Sequence, residues 1–156
     1  MSSDSIYYLA GSLFSGTIIS STVENKNEKS YSILNGKLHG SFLEWTPEQH
    51  ILKTDKSYLA GKEHGRQRGY HYNGNLSFSY NAVNGKREGL YQEFYPSGNL
   101  HIEKIYKEGK QVSNKIKNPQ GAVIANYVLK NGRYYGLMGS SSCISVLLEE
   151  NSRNEN

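Results

Sequence analysis

The residues of this chain whose types could do chemistry are one cysteine, five histidines and its carboxylates. Cys143 enters a mostly apolar run, where a lone thiol is usually a small buried hydrophobe; a nucleophile would need a histidine beside it. His39 and His64 recur at the same place in neighbouring units, as exposed turn residues about 10 Å apart, too far to share one metal ion. We therefore expect no catalytic residue, metal site or cofactor.

The carboxylates give no stronger case for catalysis. Glu63 and Glu88 recur beside basic residues, whereas glycosidase-like chemistry needs two carboxyl groups about 5 to 10 Å apart in a cleft. The chain has no phosphate-binding loop, no paired cysteines, no His-Glu-x-x-His and no Gly-x-Ser-x-Gly. These observations predict a protein that is not an enzyme.

A row of basic residues, each directly after a glycine, is the best candidate for a binding site: Lys37, Lys62, Lys86, Lys110 and Arg133. If the units stack, this row lines one edge with neighbours about 10 Å apart, close to a Debye length. Such an edge fits an anionic lipid surface or an acidic protein. The simpler interpretation, which we prefer, is that solvated lysines are ordinary hairpin residues that discourage edge aggregation.

The glycines of this row are spaced almost evenly, by 25, 24, 24 and 23 residues, at Gly36, Gly61, Gly85, Gly109 and Gly132. In four units a second glycine follows four positions later, at Gly40, Gly65, Gly89 and Gly136. A fixed period of this length indicates a repeat architecture. Asn-Gly pairs are the strongest short signal for two-residue hairpins, and they stand at residues 35–36, 73–74, 84–85 and 131–132.

A second glycine series alternates with the first, at Gly16, Gly74, Gly98 and Gly121, with Gln49 in the equivalent place of one unit. Between the two series the residues alternate apolar and polar, as in Leu76, Phe78 and Tyr80. Each repeat therefore has two turns and two strands. We predict an all-β fold: a single-layer antiparallel meander of stacked two-stranded repeats of about 24 residues, with roughly ten strands of about six residues.

The segment from Asn84 to Leu100, which reads NGKREGLYQEFYPSGNL, resembles the MORN-repeat variant found in many bacterial proteins. The most similar set is the YwqK-like one, which carries a putative antitoxin label. The resemblance covers about residues 30 to 137. It implies a binding or scaffolding module, and an antitoxin-like or immunity-like role.

Composition limits the class further. Only 36% of the 156 residues are apolar, the mean hydropathy is -0.68, and there are thirteen tyrosines. We expect a thin core packed largely by tyrosine rings. No apolar run is long enough to span a membrane and no secretory signal is visible, so the compartment stays open: cytoplasmic, or exported with the signal removed.

We predict one domain over residues 1–148: a half unit at 1–20, regular units over 30–122, and a C-terminal capping unit at 123–148. The strand through Ile144, Val146 and Leu148 closes the sheet. Residues 149–156 form a disordered tail, and the charged segment 24–29 is an exposed loop tip.

Two departures from the repeat have structural consequences. Gln49 and Ser113 stand where glycines are expected, so those two turns should take another geometry. The segment 66–69, Arg-Gln-Arg-Gly, lacks an apolar residue on either face and should pack more loosely than its neighbours.

Two functions fit this architecture. The first is a platform whose concave, tyrosine-rich face binds a partner protein, as repeat proteins commonly do. The alternative is peripheral binding to an anionic membrane through the five basic residues. Nucleic acid is not expected as a partner, because the tyrosines are needed for packing. An uncovered N-terminal edge strand would allow self-association.

Overall fold

A computed structural model of the protein describes residues 5–21, 28–46 and 49–139, and in these ranges it contains strands and turns without helix. The strands are β1 (Tyr8–Leu9), β2 (Ser12–Leu13), β3 (Gly16–Ser21), β4 (Glu28–Leu34), β5 (Lys37–Trp45), β6 (Leu52–Leu59), β7 (Lys62–Tyr70), β8 (Leu76–Val83), β9 (Lys86–Phe94), β10 (Leu100–Lys107), β11 (Lys110–Lys117), β12 (Val123–Lys130) and β13 (Arg133–Leu137).

The strands β3 to β13 form one eleven-stranded antiparallel sheet in which every strand lies beside its neighbours in sequence. The strands β1 and β2 form a separate small hairpin. The predicted all-β meander is therefore confirmed. The predicted strand number and length are wrong, because the described residues hold thirteen strands and β5 to β12 are eight or nine residues long.

The glycine-basic motifs form two-residue hairpin turns along one edge of the sheet, which we call the hinge edge. Both central residues have positive φ, for example 52° at Asn84 and 79° at Gly85, which is the type I′ geometry. A further turn of this kind, at Ala10–Gly11, was missed by the sequence analysis. Its signal was present, since Gly11 precedes Gly36 by the same 25 residues that separate Gly36 from Gly61.

Neighbouring hinge turns are joined by backbone hydrogen bonds. The N–H of Gly61 donates to the carbonyl of Leu38 at 2.8 Å, and Gly85 donates to Glu63 at the same distance. Gly109 donates to Arg87 at 3.1 Å. The turns at Gly61, Gly85 and Gly109 are thus bonded to the preceding unit, so this part of the hinge edge is a continuous stack.

The turns at the opposite edge have a different geometry. Gly74 has positive φ while Asn73 does not, so the prediction of a primed turn at this Asn-Gly pair is wrong. In the unit with Gly74, His71 N–H donates to Asn75 O, whereas in the preceding unit Thr46 N–H donates to Ile51 O. The loop of the preceding unit is therefore one residue longer. The residue with positive φ there is His50, at 47°, one position after Gln49, so this turn takes another geometry, as predicted.

One face of the sheet carries the core, and we call it the tyrosine face. A row of cross-strand partners runs across it through all eleven strands: Ile18, Tyr31, Phe42, Lys56, Gln67, Tyr80, Tyr91, Lys104, Asn114, Tyr127 and Gly136. Because strand side chains alternate between faces, this register also puts the other buried residues of the sheet here: Ile33, Leu38, Ala82, Tyr106 and Ala125. The core is thin and rich in tyrosine, as predicted.

The segment 66–69 is tightly packed, which contradicts the prediction of loose packing. Gln67 is fully buried, and its Nε2 donates to Ser57 O at 2.8 Å and to Gly65 O at 3.2 Å. Gly69 is buried beneath the ring of Phe78, since a Cβ at Gly69 would lie 2.2 Å from Phe78 Cε1. A buried amide and a ring from the next strand replace the apolar side chains that the other units use.

The N-terminal region is more than the predicted half unit. The hairpin β1–β2 packs on the first hinge turn, where Tyr7 N–H donates to Gly36 O and Gly36 N–H donates to Phe14 O, both at 2.8 Å. The outer edge of β3 has no strand partner among the described residues, so self-association through it stays a prediction that mass in solution tests.

Several predictions fall on other parts of the chain. Cys143, the closing strand through Ile144 and the tail 149–156 lie outside the described residues, as does most of segment 24–29. Glu28 and Lys29, which were predicted in the exposed loop tip, are half-buried residues of β4. Within the described ranges, no helix is long and apolar enough to cross a membrane.

Candidate functional site

The centre of the tyrosine face is a cluster of three buried rings on β8, β9 and β10. The ring centroids of Tyr80 and Tyr91 are 5.6 Å apart, and those of Tyr91 and Tyr106 are 6.0 Å apart. Phe78 extends the cluster, with its centroid 6.0 Å from that of Tyr80. Each side chain is fixed by its neighbours on adjacent strands, so this part of the face is rigid.

Two cations lie on this ring cluster. The guanidinium carbon of Arg87 is 5.1 Å from the ring centroid of Tyr80, 4.9 Å from that of Tyr91 and 5.5 Å from that of Tyr106. Arg87 Nη1 also donates to Tyr106 Oη at 3.3 Å. Lys104 Nζ lies 5.5 Å from the Tyr91 centroid. Arg87 itself is exposed, so its charge is presented on the tyrosine face.

The carboxylates near the cluster are already engaged. Glu63 accepts a hydrogen bond from Tyr80 Oη at 2.9 Å and forms a 2.8 Å ion pair with Lys56. Glu93 accepts from Tyr91 Oη at 2.6 Å. The site therefore holds two carboxylates bound by tyrosine hydroxyls and, beside them, two cations that have no carboxylate oxygen within 4.0 Å among the described residues.

Burial raises the pKa of Tyr80 above its ordinary value of 10.0, and the hydrogen bond to Glu63 acts in the same direction. Burial and the bond to Glu93 likewise raise the pKa of Tyr91. In both cases ionisation would place a phenolate in an apolar setting beside a carboxylate. Neither hydroxyl can serve as a base at neutral pH, and both act as hydrogen-bond donors.

These shifts predict a loss of stability in alkali. The unfolded tyrosines ionise near pH 10 while Tyr80 and Tyr91 stay protonated in the fold. Their contribution is therefore complete below about pH 10 and is lost as the pH rises further. We expect urea unfolding to show a smaller decrease between about pH 9 and pH 11 for the Tyr80→Phe, Tyr91→Phe double variant than for the unmodified chain. Equal decreases in both proteins would contradict this assignment.

The predicted basic row is present on the hinge edge. Its members Lys37, Lys62, Lys86, Lys110 and Arg133 are all exposed at the first position after a hinge glycine. Among the described residues, none of the four lysines lies within 4.0 Å of a carboxylate oxygen. Successive hinge turns lie close together, since a Cβ at Gly61 or Gly85 would lie 3.9 Å from the Cβ of the preceding hinge lysine. The lysines that follow these glycines are therefore neighbours along the hinge edge.

Exposed aliphatic residues lie beside three of these lysines. They were not among the predicted site residues. Leu34, Leu59 and Val83 are the cross-strand partners of Lys37, Lys62 and Lys86. They are 46%, 42% and 46% exposed. The residues two positions before the hinge glycines give this signal in the sequence, because they read Leu, Leu, Val, Lys and Lys along the chain.

The remaining candidates do not form a site. His39 and His64 lie in β5 and β7 and are half-buried, so their prediction as exposed turn residues is wrong. Within the described ranges, histidine, cysteine and acidic residues do not gather in groups of three that would hold a metal ion. A small cleft of ≈ 60 Å³ beside Thr46 and His71 has room for little more than water.

The fold and the cluster define an all-β, antiparallel repeat protein with a one-sided tyrosine core. No protein-family model matches the chain, and no curated protein matches it at a significant level. Membership of the MORN-repeat variant family therefore stays a prediction from the residues of the repeat.

Proposed function

We propose that this chain is a non-enzymatic interaction module whose tyrosine face binds a partner protein. The observation that carries the proposal is Arg87, an exposed guanidinium stacked on three buried tyrosine rings near the middle of the sheet. Tyrosine and arginine dominate the energetic centres of protein interfaces, because they offer large rigid contact areas with polar tips. A ring cluster that already holds Arg87 in place loses little side-chain entropy on binding.

The resemblance of residues 84–100 to the MORN-repeat variant adds a more specific proposal. We propose that the chain belongs to the bacterial MORN-repeat variant family and acts in an antitoxin-like or immunity-like manner, by covering a functional surface of its partner. A rigid, eleven-stranded face suits such a role, since it covers a large area without ordering flexible loops on binding.

A second candidate function is docking on an anionic membrane through the hinge edge. It is favoured by the exposed Leu34, Leu59 and Val83 beside lysines that form no ion pair among the described residues. Aliphatic side chains that enter the headgroup region and lysines that meet anionic lipid act together at such surfaces. The two functions use different faces, so one set of variants separates them.

The experiment compares three forms of the full chain, each with normal thermal unfolding. The face variant carries Phe42→Ser, Arg87→Ser and Tyr134→Ser, which are spread over β5, β9 and β13. The hinge variant carries Lys62→Glu, Lys86→Glu and Lys110→Glu. Immobilised proteins capture partners from an extract of the source cells, and binding to vesicles with and without phosphatidylserine is measured by sedimentation.

We expect the face variant to lose a captured protein that the unmodified chain and the hinge variant retain. Loss of phosphatidylserine-dependent sedimentation in the hinge variant, with protein capture unchanged in all three forms, would instead support the membrane function. A face variant that captures the same proteins as the unmodified chain would overturn the proposed function.

A further inference from the structure

The hydrogen-bonding capacity of Arg87 is largely unused within the described chain. A guanidinium has five N–H donors in one plane; Nη1 of Arg87 donates to Tyr106 Oη at 3.3 Å, and the side chain also interacts with the Tyr80 hydroxyl. The guanidinium carbon lies 4.9 to 5.5 Å from the ring centroids of Tyr80, Tyr91 and Tyr106, and Arg87 is exposed, so the donors that these tyrosines do not use are accessible to a ligand. The edge geometry of a guanidinium matches the two oxygens of a carboxylate.

A second cation stands beside the same ring. Lys104 Nζ is 5.5 Å from the centroid of Tyr91, and the Arg87 guanidinium carbon is 4.9 Å from it. Among the described residues neither cation comes within 4.0 Å of a carboxylate oxygen. Two acids near the same rings, Glu63 and Glu93, are bound to the hydroxyls of Tyr80 and Tyr91.

The charges around Tyr91 favour a singly charged anion. Lys56, Arg87 and Lys104 contribute three positive charges, while Glu63 and Glu93 contribute two negative ones. This leaves a small positive excess, which one carboxylate neutralises. A doubly charged phosphate would overcompensate it and would be repelled by the two fixed carboxylates.

We propose that Arg87 and Lys104 form a carboxylate-binding site on the tyrosine face, which receives an aspartate or glutamate from an acidic segment of the partner protein. The proposal rests on the proposed function and adds the chemistry of the partner. The carboxylate pairs with the edge of Arg87, and Lys104 supplies a second, non-directional attraction. The rings beneath Arg87 hold the guanidinium in the orientation that the partner meets.

The test is a titration of the full chain with a capped peptide, Gly-Glu-Tyr-Glu-Gly, followed by NMR shifts of the arginine side-chain N–H groups. The matched control peptide has Gln in place of Glu, and inorganic phosphate is titrated separately. The protein variants are Arg87→Gln, Arg87→Lys and Lys104→Gln. Each removes or reshapes one cation, the exposed Arg87 or the half-buried Lys104, and leaves the buried tyrosines in place.

We expect the Glu peptide to bind and the Gln peptide to bind at least tenfold more weakly, since a charge-assisted hydrogen bond accounts for about one decade in affinity. Arg87→Gln should lower the affinity for the Glu peptide by about tenfold or more, and Lys104→Gln should lower it by a smaller factor. The affinity of Arg87→Lys for the Glu peptide should lie between those of Arg87→Gln and the unmodified chain, because lysine keeps the charge but cannot form the bidentate hydrogen bonds.

Equal binding of the Glu and Gln peptides, or tighter binding of phosphate than of the Glu peptide, would overturn the site. The capture experiment keeps the two proposals apart. If the face variant loses the partner while Arg87→Gln and Lys104→Gln both retain it, the interaction platform stands and the carboxylate site is wrong. If the face variant retains the partner, the platform is wrong.

Discussion

Replacing Gly69 with alanine should destabilise the fold by about 2 kcal/mol, because the new methyl group enters the space of the Phe78 ring. A Cβ at Gly69 would lie 2.2 Å from Phe78 Cε1 and 2.7 Å from both Cδ1 and Cζ. The ring has little room to yield, since it stacks on Tyr80 with centroids 6.0 Å apart. Chemical denaturation at neutral pH measures the effect.

A double-mutant cycle with Phe78→Ala identifies the cause. Gly69 has no positive φ, so alanine fits its backbone and restricts the unfolded chain. With the ring removed, Gly69→Ala should therefore be neutral or should stabilise by up to about 1 kcal/mol. An equal loss in both backgrounds would show that the ring contact is not responsible.

Replacing Gln67 with glutamate should destabilise the fold by about 3 to 5 kcal/mol. The Nε2 of Gln67 donates to the carbonyls of Ser57 and Gly65, and a carboxylate would instead face these two oxygens as an acceptor. The nearest cation in register, Lys56, is already paired with Glu63 at 2.8 Å. The variant thus buries an uncompensated charge at a position with 0% exposure.

The effect should depend on pH in one direction. Burial raises the pKa of the introduced carboxyl above the unfolded value of about 4.3, so the loss is complete above the folded pKa and disappears below about pH 4. Gln67→Met, of similar volume and without charge, is the control, with an expected loss of about 1 to 2 kcal/mol that does not vary with pH. A glutamate variant whose deficit relative to the methionine variant stays constant on acidification would contradict this prediction.

The repeat could be predicted from the sequence because its glycines act locally. A type I′ turn needs positive φ at two successive residues, so Gly85 and its equivalents mark hairpins without knowledge of the rest of the chain. The stacked hinge edge followed from their spacing. Where the local signal was weaker, at Ala10–Gly11 and His50, the prediction missed the turn or placed it one residue away.

The candidate site could not be predicted in the same way. Arg87 and Glu63 occupy equivalent positions beside the hinge lysines and read as ordinary charged turn residues. Both lie on the tyrosine face, since Glu63 is four positions before Gln67 on β7 and Arg87 is four positions before Tyr91 on β9. The partners of Arg87 come from β8, β9 and β10, and those of Glu63 from β6 and β8, so their pairing appears only in the folded sheet.

The sequence by itself determined the order of the strands, the antiparallel pairing and the line of lysines, since each depends on turn residues repeated at a fixed interval. The tertiary structure decided how the face between the turns is filled. Gln67 is buried although its own segment, residues 66–69, has no apolar side chain, and Phe78 covers Gly69 from the next strand. Packing between strands depends on side-chain volume and register across the sheet, which a local pattern does not encode.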